Sequence, residues 1–109
     1  MANRPWKAAE RRAAALIGGQ RYPANQGGPI DCESSRAVAQ CKEVRVLPFP
    51  ALERLALEAE RQGTQRRKIG LCVVKRRAGR GVPTPTLVVL TAAMFREMSG
   101  PLPGEPDGP

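Results

Sequence analysis

An α/β fold, one sheet with helices packed against it, is what this chain of 109 residues predicts. Three observations lead there. Two nearly continuous apolar runs, Lys68-Ile-Gly-Leu-Cys-Val-Val-Lys75 and Thr86-Leu-Val-Val-Leu-Thr91, have the length and branching of strands covered on both sides. Residues 36–44 have the length and β-branched content of a third strand. Between and before these runs lie segments whose apolar residues recur at helical spacing, and strands separated by helices pack as layers.

The first helix is expected over residues 5–17. Pro5 suits the first helical position and Gly18-Gly19 ends it. On a wheel of about 100° per residue, Glu10, Ala13 and Ile17 fall within about 40° of Trp6, with Ala9 and Leu16 flanking. Glu10 therefore lies on the apolar face, whereas Lys7, Arg11 and Arg12 lie off it. An inward carboxylate costs several kcal/mol unless it meets a cation. That cation is either an arginine in a salt bridge or a metal shared with other acids; a position on the rim would avoid the cost.

Residues 18–29, rich in Gly, Pro, Asn and Gln, read as a loop, with Arg21-Tyr22 as a short strand inside it. Ile30 to Glu33 then form a short strand, and Ser34-Ser35 turn the chain into the strand at 36–44, which sets Asp31 beside Gln40. Alternation puts Val38, Gln40 and Lys42 on one face and Ala37, Ala39 and Cys41 on the other. Polar Gln40 and Lys42 sit where an apolar or merely wet face is expected, and such a conflict marks a candidate site. Glu33 points to the face of Asp31, as an acid supporting that site or as a surface residue.

Pro48 and Pro50 bracket a turn, after which a second helix runs from Ala51 to Gln62 and stops at Gly63. Leu52, Leu55, Ala56 and Ala59 form its buried stripe, with Glu58 or Glu60 pairing arginines outside. Ala92 to Met98 is a short closing helix. One domain over residues 1–98 follows, and the Pro/Gly-rich tail at 99–109 is expected to be disordered.

The chain carries a net charge of +8, and its 18 basic residues include 14 arginines. The pI is about 10.5. This balance favours a polyanionic partner, most often nucleic acid. Between residues 61 and 82 there are eight basic residues and no acid. Arg66, Arg67 and Lys68 precede one strand, and Lys75, Arg76, Arg77 and Arg80 follow it around a glycine-rich loop. With no histidine, Ser-His and Cys-His nucleophile systems are excluded, and the cysteine spacing argues against structural zinc. Three cysteines, an odd number, suggest a reducing compartment. With no apolar run long enough for a bilayer and no signal-peptide pattern, an intracellular protein is expected, cytoplasmic or phage-encoded in a bacterial host.

Pro29-Ile30-Asp31 followed nine residues after the acid by Gln40-Cys41-Lys42 resembles the PD-(D/E)xK nuclease superfamily, with glutamine where most members carry an acid, as in its Mrr-like branch. The order Glu10, Gly18-Gly19, Gly27-Gly28, Asp31 and Gln-Cys-Lys is similar to small archaeal and phage Holliday-junction resolvases. The resemblance covers residues 6–95. It implies a restriction-endonuclease-like central mixed β-sheet flanked by helices, and a metal-dependent DNA endonuclease selective for branched duplexes. Mg²⁺ or Mn²⁺ would be held by Glu10, Asp31 and the Gln40 side-chain oxygen, with the Cys41 backbone carbonyl contributing. Lys42 would orient the attacking water or stabilise the phosphorane. Arg11, Arg12 and the basic residues flanking the 68–75 strand would grip phosphates, and a homodimer would set two sites on two strands. The rival expectation is a non-catalytic DNA- or RNA-binding module on the same sheet, with position 40 marking a dead site.

Overall fold

The structure, a computed structural model, describes residues 5–22 and 30–101. Helix α1 spans Pro5–Ile17, strand β1 Gln20–Arg21, β2 Cys32–Glu33, β3 Ala37–Val44, helix α2 Phe49–Arg66, β4 Ile69–Arg76, β5 Thr86–Val89 and α3 Ala92–Ser99. The strands form one five-stranded sheet in the order β1-β2-β3-β4-β5. Only β3 and β4 run parallel, joined through α2; the other neighbours are antiparallel. The expected α/β architecture, a mixed sheet flanked by helices, is what forms. The Trp6 side chain, residues 23–29 of the loop and residues 102–109 of the tail lie outside the described set, while Ser99 closes α3.

Alternation along β3 and β4 sorts the core into two layers. Ala39, Leu71 and Val73 pack with Ala13 and Ala14 of α1 and with Cys32, and Cys41, Ile17 and Ile69 lean on that cluster. On the opposite face Cys72 and Val74 pack with Ala59, flanked by Leu52 and Leu55 of α2. Helix α1 ends as expected, with Gly18 in the left-handed region at φ 68°.

Three expectations are corrected. Helix α2 does not stop at Gly63 but runs on to Arg66, and Arg67 takes the left-handed cap at φ 57°. Gly63 serves close packing instead: a Cβ there would lie 2.4 Å from the Gly70 amide nitrogen, and one on Gly70 would lie 1.7 Å from the Ala59 oxygen. A helix passes a glycine at a cost of about 1 kcal/mol when tertiary contact offsets it. Strand β5 is not covered on both sides, since it sits at the sheet edge with Leu87 52% and Val88 44% exposed. Its apolar run matched a central strand, but only β4 flanks it. Leu16, placed beside the apolar stripe of α1, is likewise 54% exposed.

Candidate functional site

The β2–β3 hairpin forms as the turn residues dictate. Ser34 Oγ accepts from the amide of Ala37 at 3.1 Å and the Ser34 amide donates to the Ala37 carbonyl at 2.8 Å. Cys32 then pairs with Ala39 and Glu33 with Val38. One residue earlier the regular strand has not begun, yet the Asp31 amide still donates to the Ala39 carbonyl at 2.9 Å. This keeps Asp31 against the free edge of β3. Its carboxylate Oδ2 accepts the Cys41 amide at 2.7 Å, so the acid is tied to the middle residue of Gln40-Cys41-Lys42.

Asp31 lines a small cavity of about 110 Å³ with Ala9, Glu10, Cys41, Glu43 and Arg77. Glu10 thus arrives from α1 as the wheel expected, on a half-buried position. Its Oε1 accepts from Arg21 Nε at 3.1 Å and lies 3.1 Å from Arg21 Nη2, so the salt bridge weighed from the sequence is present. Glu43 lies 3.8 Å from Arg12, and Arg77 Nη2 donates to the Glu43 carbonyl at 3.1 Å. Burial holds the Asp31 carboxyl above its ordinary range; the Cys41 amide opposes this, Glu10 pushes it further up and Lys42 pulls it down. Glu10 and Lys42 are therefore both within electrostatic reach of Asp31.

Gln40 and Lys42 occupy the other face of β3. Gln40 pairs in register with Cys72, a member of the α2 layer, and its Oε1 lies 3.8 Å from the Cys72 sulfur. Lys42 is exposed beside it. The Asp31 carboxylate opens onto the α1 face with Glu10 and Cys41, whereas the Gln40 side chain turns to the α2 face. Among the described residues no three His, Cys, Asp or Glu side chains group tightly enough to hold a metal ion. The two carboxylates lining the cavity are hard oxygen donors, as Mg²⁺ or Mn²⁺ requires; Gln40 is not part of that lining.

Glu33 does not support Asp31. It accepts from Lys68 Nζ at 2.5 Å and from the Tyr22 hydroxyl, and Lys68 also donates to the Ser34 carbonyl at 2.8 Å. Lys68 and then Tyr22 hold the Glu33 carboxyl below its usual range. This network joins residues 11 and 35 positions apart. Periodicity carries no signal for such a network.

The basic residues divide between the two ends of β4, whose eight residues span about 25 Å. At its start Lys68 is committed to Glu33, Arg66 Nη1 donates to Gln62 Oε1 at 2.7 Å, and Arg67 is exposed. At its end Lys75 is held by Thr84, donating to its Oγ1 at 2.7 Å, while Arg76, Arg77 and Arg80 are exposed. Arg11 and Arg12 are exposed on α1. Lys68 and Lys75 are thus fixed within the fold, and of the arginines at the end of β4 Arg77 lines the Asp31 cavity. Sequence reasoning missed Glu43 as a cavity residue; its place two residues beyond Cys41, on the same face, is the signal that could have found it.

No helix among the described residues is long and apolar enough to cross a membrane. Comparison of the chain with protein families, with characterised proteins and with solved structures finds no match.

Proposed function

We propose that this protein is a metal-dependent DNA endonuclease of PD-(D/E)xK type, selective for branched duplexes in the manner of Holliday-junction resolvases. The observation that carries the reading is the 2.7 Å hydrogen bond from the Cys41 amide to the Asp31 carboxylate, on a cavity that Glu10 also lines. It joins the acid to the centre of the Gln-x-Lys strand, as the family resemblance of residues 6–95 implies. Two carboxylates on one half-buried cavity, one of them held protonatable by burial, form a site that a cation would complete.

Glu10 and Asp31 would hold Mg²⁺ or Mn²⁺, with the Cys41 carbonyl as a further donor; Gln40, turned toward Cys72 on the other face of β3, would join them only by changing rotamer. A bound divalent cation supplies an activated water and neutralises charge on the scissile phosphate. Lys42, whose charge reaches Asp31, orients that water or stabilises the phosphorane. Arg76, Arg77 and Arg80 hold the phosphate backbone beside the cavity, with Arg11 and Arg12 extending the grip. Contacts of this kind read shape over sequence. A second copy of the chain would bring a second site to the opposite strand.

A second reading, a non-catalytic nucleic-acid-binding module, is favoured by the Glu10–Arg21 ion pair, which satisfies the inward acid without a metal. Incubation with four-way and linear DNA in Mg²⁺ or Mn²⁺ separates the two. Cleavage that is abolished by Asp31→Ala and by Lys42→Ala supports the nuclease; salt-sensitive binding with no cleavage supports the module. A preference for RNA in competition would move the module's partner from DNA to RNA.

A further inference from the structure

Beneath the Asp31 cavity two cysteines meet. Cys32 is fully buried in the layer under α1, and Cys41 leans on the same cluster while also lining the cavity. The register sets Cys32 opposite Ala39, so Cys41 is its diagonal neighbour on the same face of the hairpin. Cys41 packs against the cluster that holds Cys32, and the Cys32 thiol donates to the Glu10 carbonyl at 3.2 Å. Both are free thiols. The third, Cys72, lies in the opposite layer and donates to the Leu55 carbonyl at 3.2 Å. A sheet lies between it and the pair.

We propose that Cys32 and Cys41 form a site of reversible oxidation, closing to an intramolecular disulfide when a peroxide reaches Cys41 through the cavity. The step balances in two stages. Hydrogen peroxide transfers one oxygen to one sulfur of the pair, giving a sulfenic acid and one water. The other sulfur then attacks it, the S–S bond forms, the S–O bond breaks, and the attacking thiol's proton leaves with the hydroxyl as a second water. A dithiol of low molecular weight reverses it by exchange.

The geometry lets the bond form and gives it a consequence. Diagonal Cα atoms in an antiparallel pair stand about 7–8 Å apart, whereas a disulfide needs no more than about 6.8 Å. Closure therefore draws the Cys32 end of β2 toward β3 by roughly an ångström. Regular pairing of β2 ends at Cys32, so Asp31 is the residue free to move with it. The Cys41 amide is the donor that holds the Asp31 carboxylate, and closure displaces that bond. The oxidation site stands whether or not the cavity holds a metal.

Peptide mapping after treatment with hydrogen peroxide, alkylation and trypsin tests this on the whole protein. The expected product joins residues 22–36 to residues 37–42, two hydrogens lighter than the separate peptides, and it disappears on reduction with dithiothreitol. The same product is expected in Cys72→Ser and none in Cys41→Ser. Backbone NMR on the wild type is expected to shift the Cys41 amide on oxidation and restore it on reduction. Sulfinic or sulfonic acid at Cys41 without the linked peptide, or a link that runs through Cys72, overturns the proposal.

Discussion

Asp31, just before β2, and Glu33, within it, flank Cys32, yet the fold treats them in opposite ways. Glu33 meets an ammonium and a hydroxyl, and its carboxyl is held below the usual range. Asp31 meets one backbone amide, a second carboxylate and substantial burial, and its carboxyl is held above it. Both are acids at a two-residue strand in a basic protein, so neither composition nor position explains the difference; the partner set does. An acid fully satisfied by its neighbours holds a structure together. An acid left short of positive charge is a place where a cation or a substrate can supply what the chain does not.

The largest expected effect removes the unsatisfied acid. Asp31→Asn keeps the acceptor for the Cys41 amide but removes the charge, and cleavage of branched DNA is expected to fall by about 100-fold or more. Glu33→Gln is expected to leave the cleavage rate within about twofold, because that acid faces Lys68 and not the cavity. Equal losses from both substitutions would erase the distinction.

Stability reverses the order. Lys68→Met strips Glu33 of its cation and frees the Ser34 carbonyl, and is expected to cost about 2 kcal/mol in urea unfolding. Asp31→Asn at neutral pH, without divalent cations, is expected to raise the unfolding midpoint, since it removes a charge that burial opposes.

The pH dependence sharpens the contrast through its sign. Glu33 has a depressed folded pKa, so its contribution is complete above its ordinary value of 4.5 and is lost as pH falls through the folded value. Asp31 has a raised folded pKa, so the native state takes up its proton first. Its penalty is relieved as pH falls from neutral through the folded value, toward the ordinary 3.8. Urea midpoints from pH 7 to pH 3 should show Glu33→Gln flattening the acid-side fall and Asp31→Asn steepening it. Parallel curves would contradict the assignment.

The smallest effect lies on the basic surface. Arg76→Ala and Arg80→Ala together are expected to reduce the slope of log affinity against log salt by roughly 0.9 for each phosphate no longer neutralised, with no change in unfolding. Lys75→Ala, which releases Thr84, should destabilise as well as weaken binding, because its amine is already part of the fold.

How much of this was legible in the sequence depends on the range over which each signal acts. Strand β3, strand β4 and helix α1 follow from periodicity and from Gly18, because those signals are local. Gly63 misled because a glycine that permits close packing against Gly70 looks the same in sequence as one that ends a helix. Thr86–Val89 misled because an apolar run records propensity and not the number of neighbouring strands. At the site, Glu10 and Asp31 were readable from an inward helix position and a hairpin, and the structure brings both to one cavity. The Glu33–Lys68–Tyr22 network was not readable, since its members meet only through strand order. Nor was the turning of Gln40 toward Cys72, which depends on the parallel register of β3 and β4.

The most direct test is a crystal soaked in Mn²⁺ and measured for anomalous scattering. A peak is expected in the cavity that Glu10 and Asp31 line, with Arg21 displaced from Glu10, and its loss is expected in Asp31→Asn. An intact Glu10–Arg21 pair with no peak at Asp31, at Mn²⁺ concentrations far above those used for the cleavage assay, would contradict it.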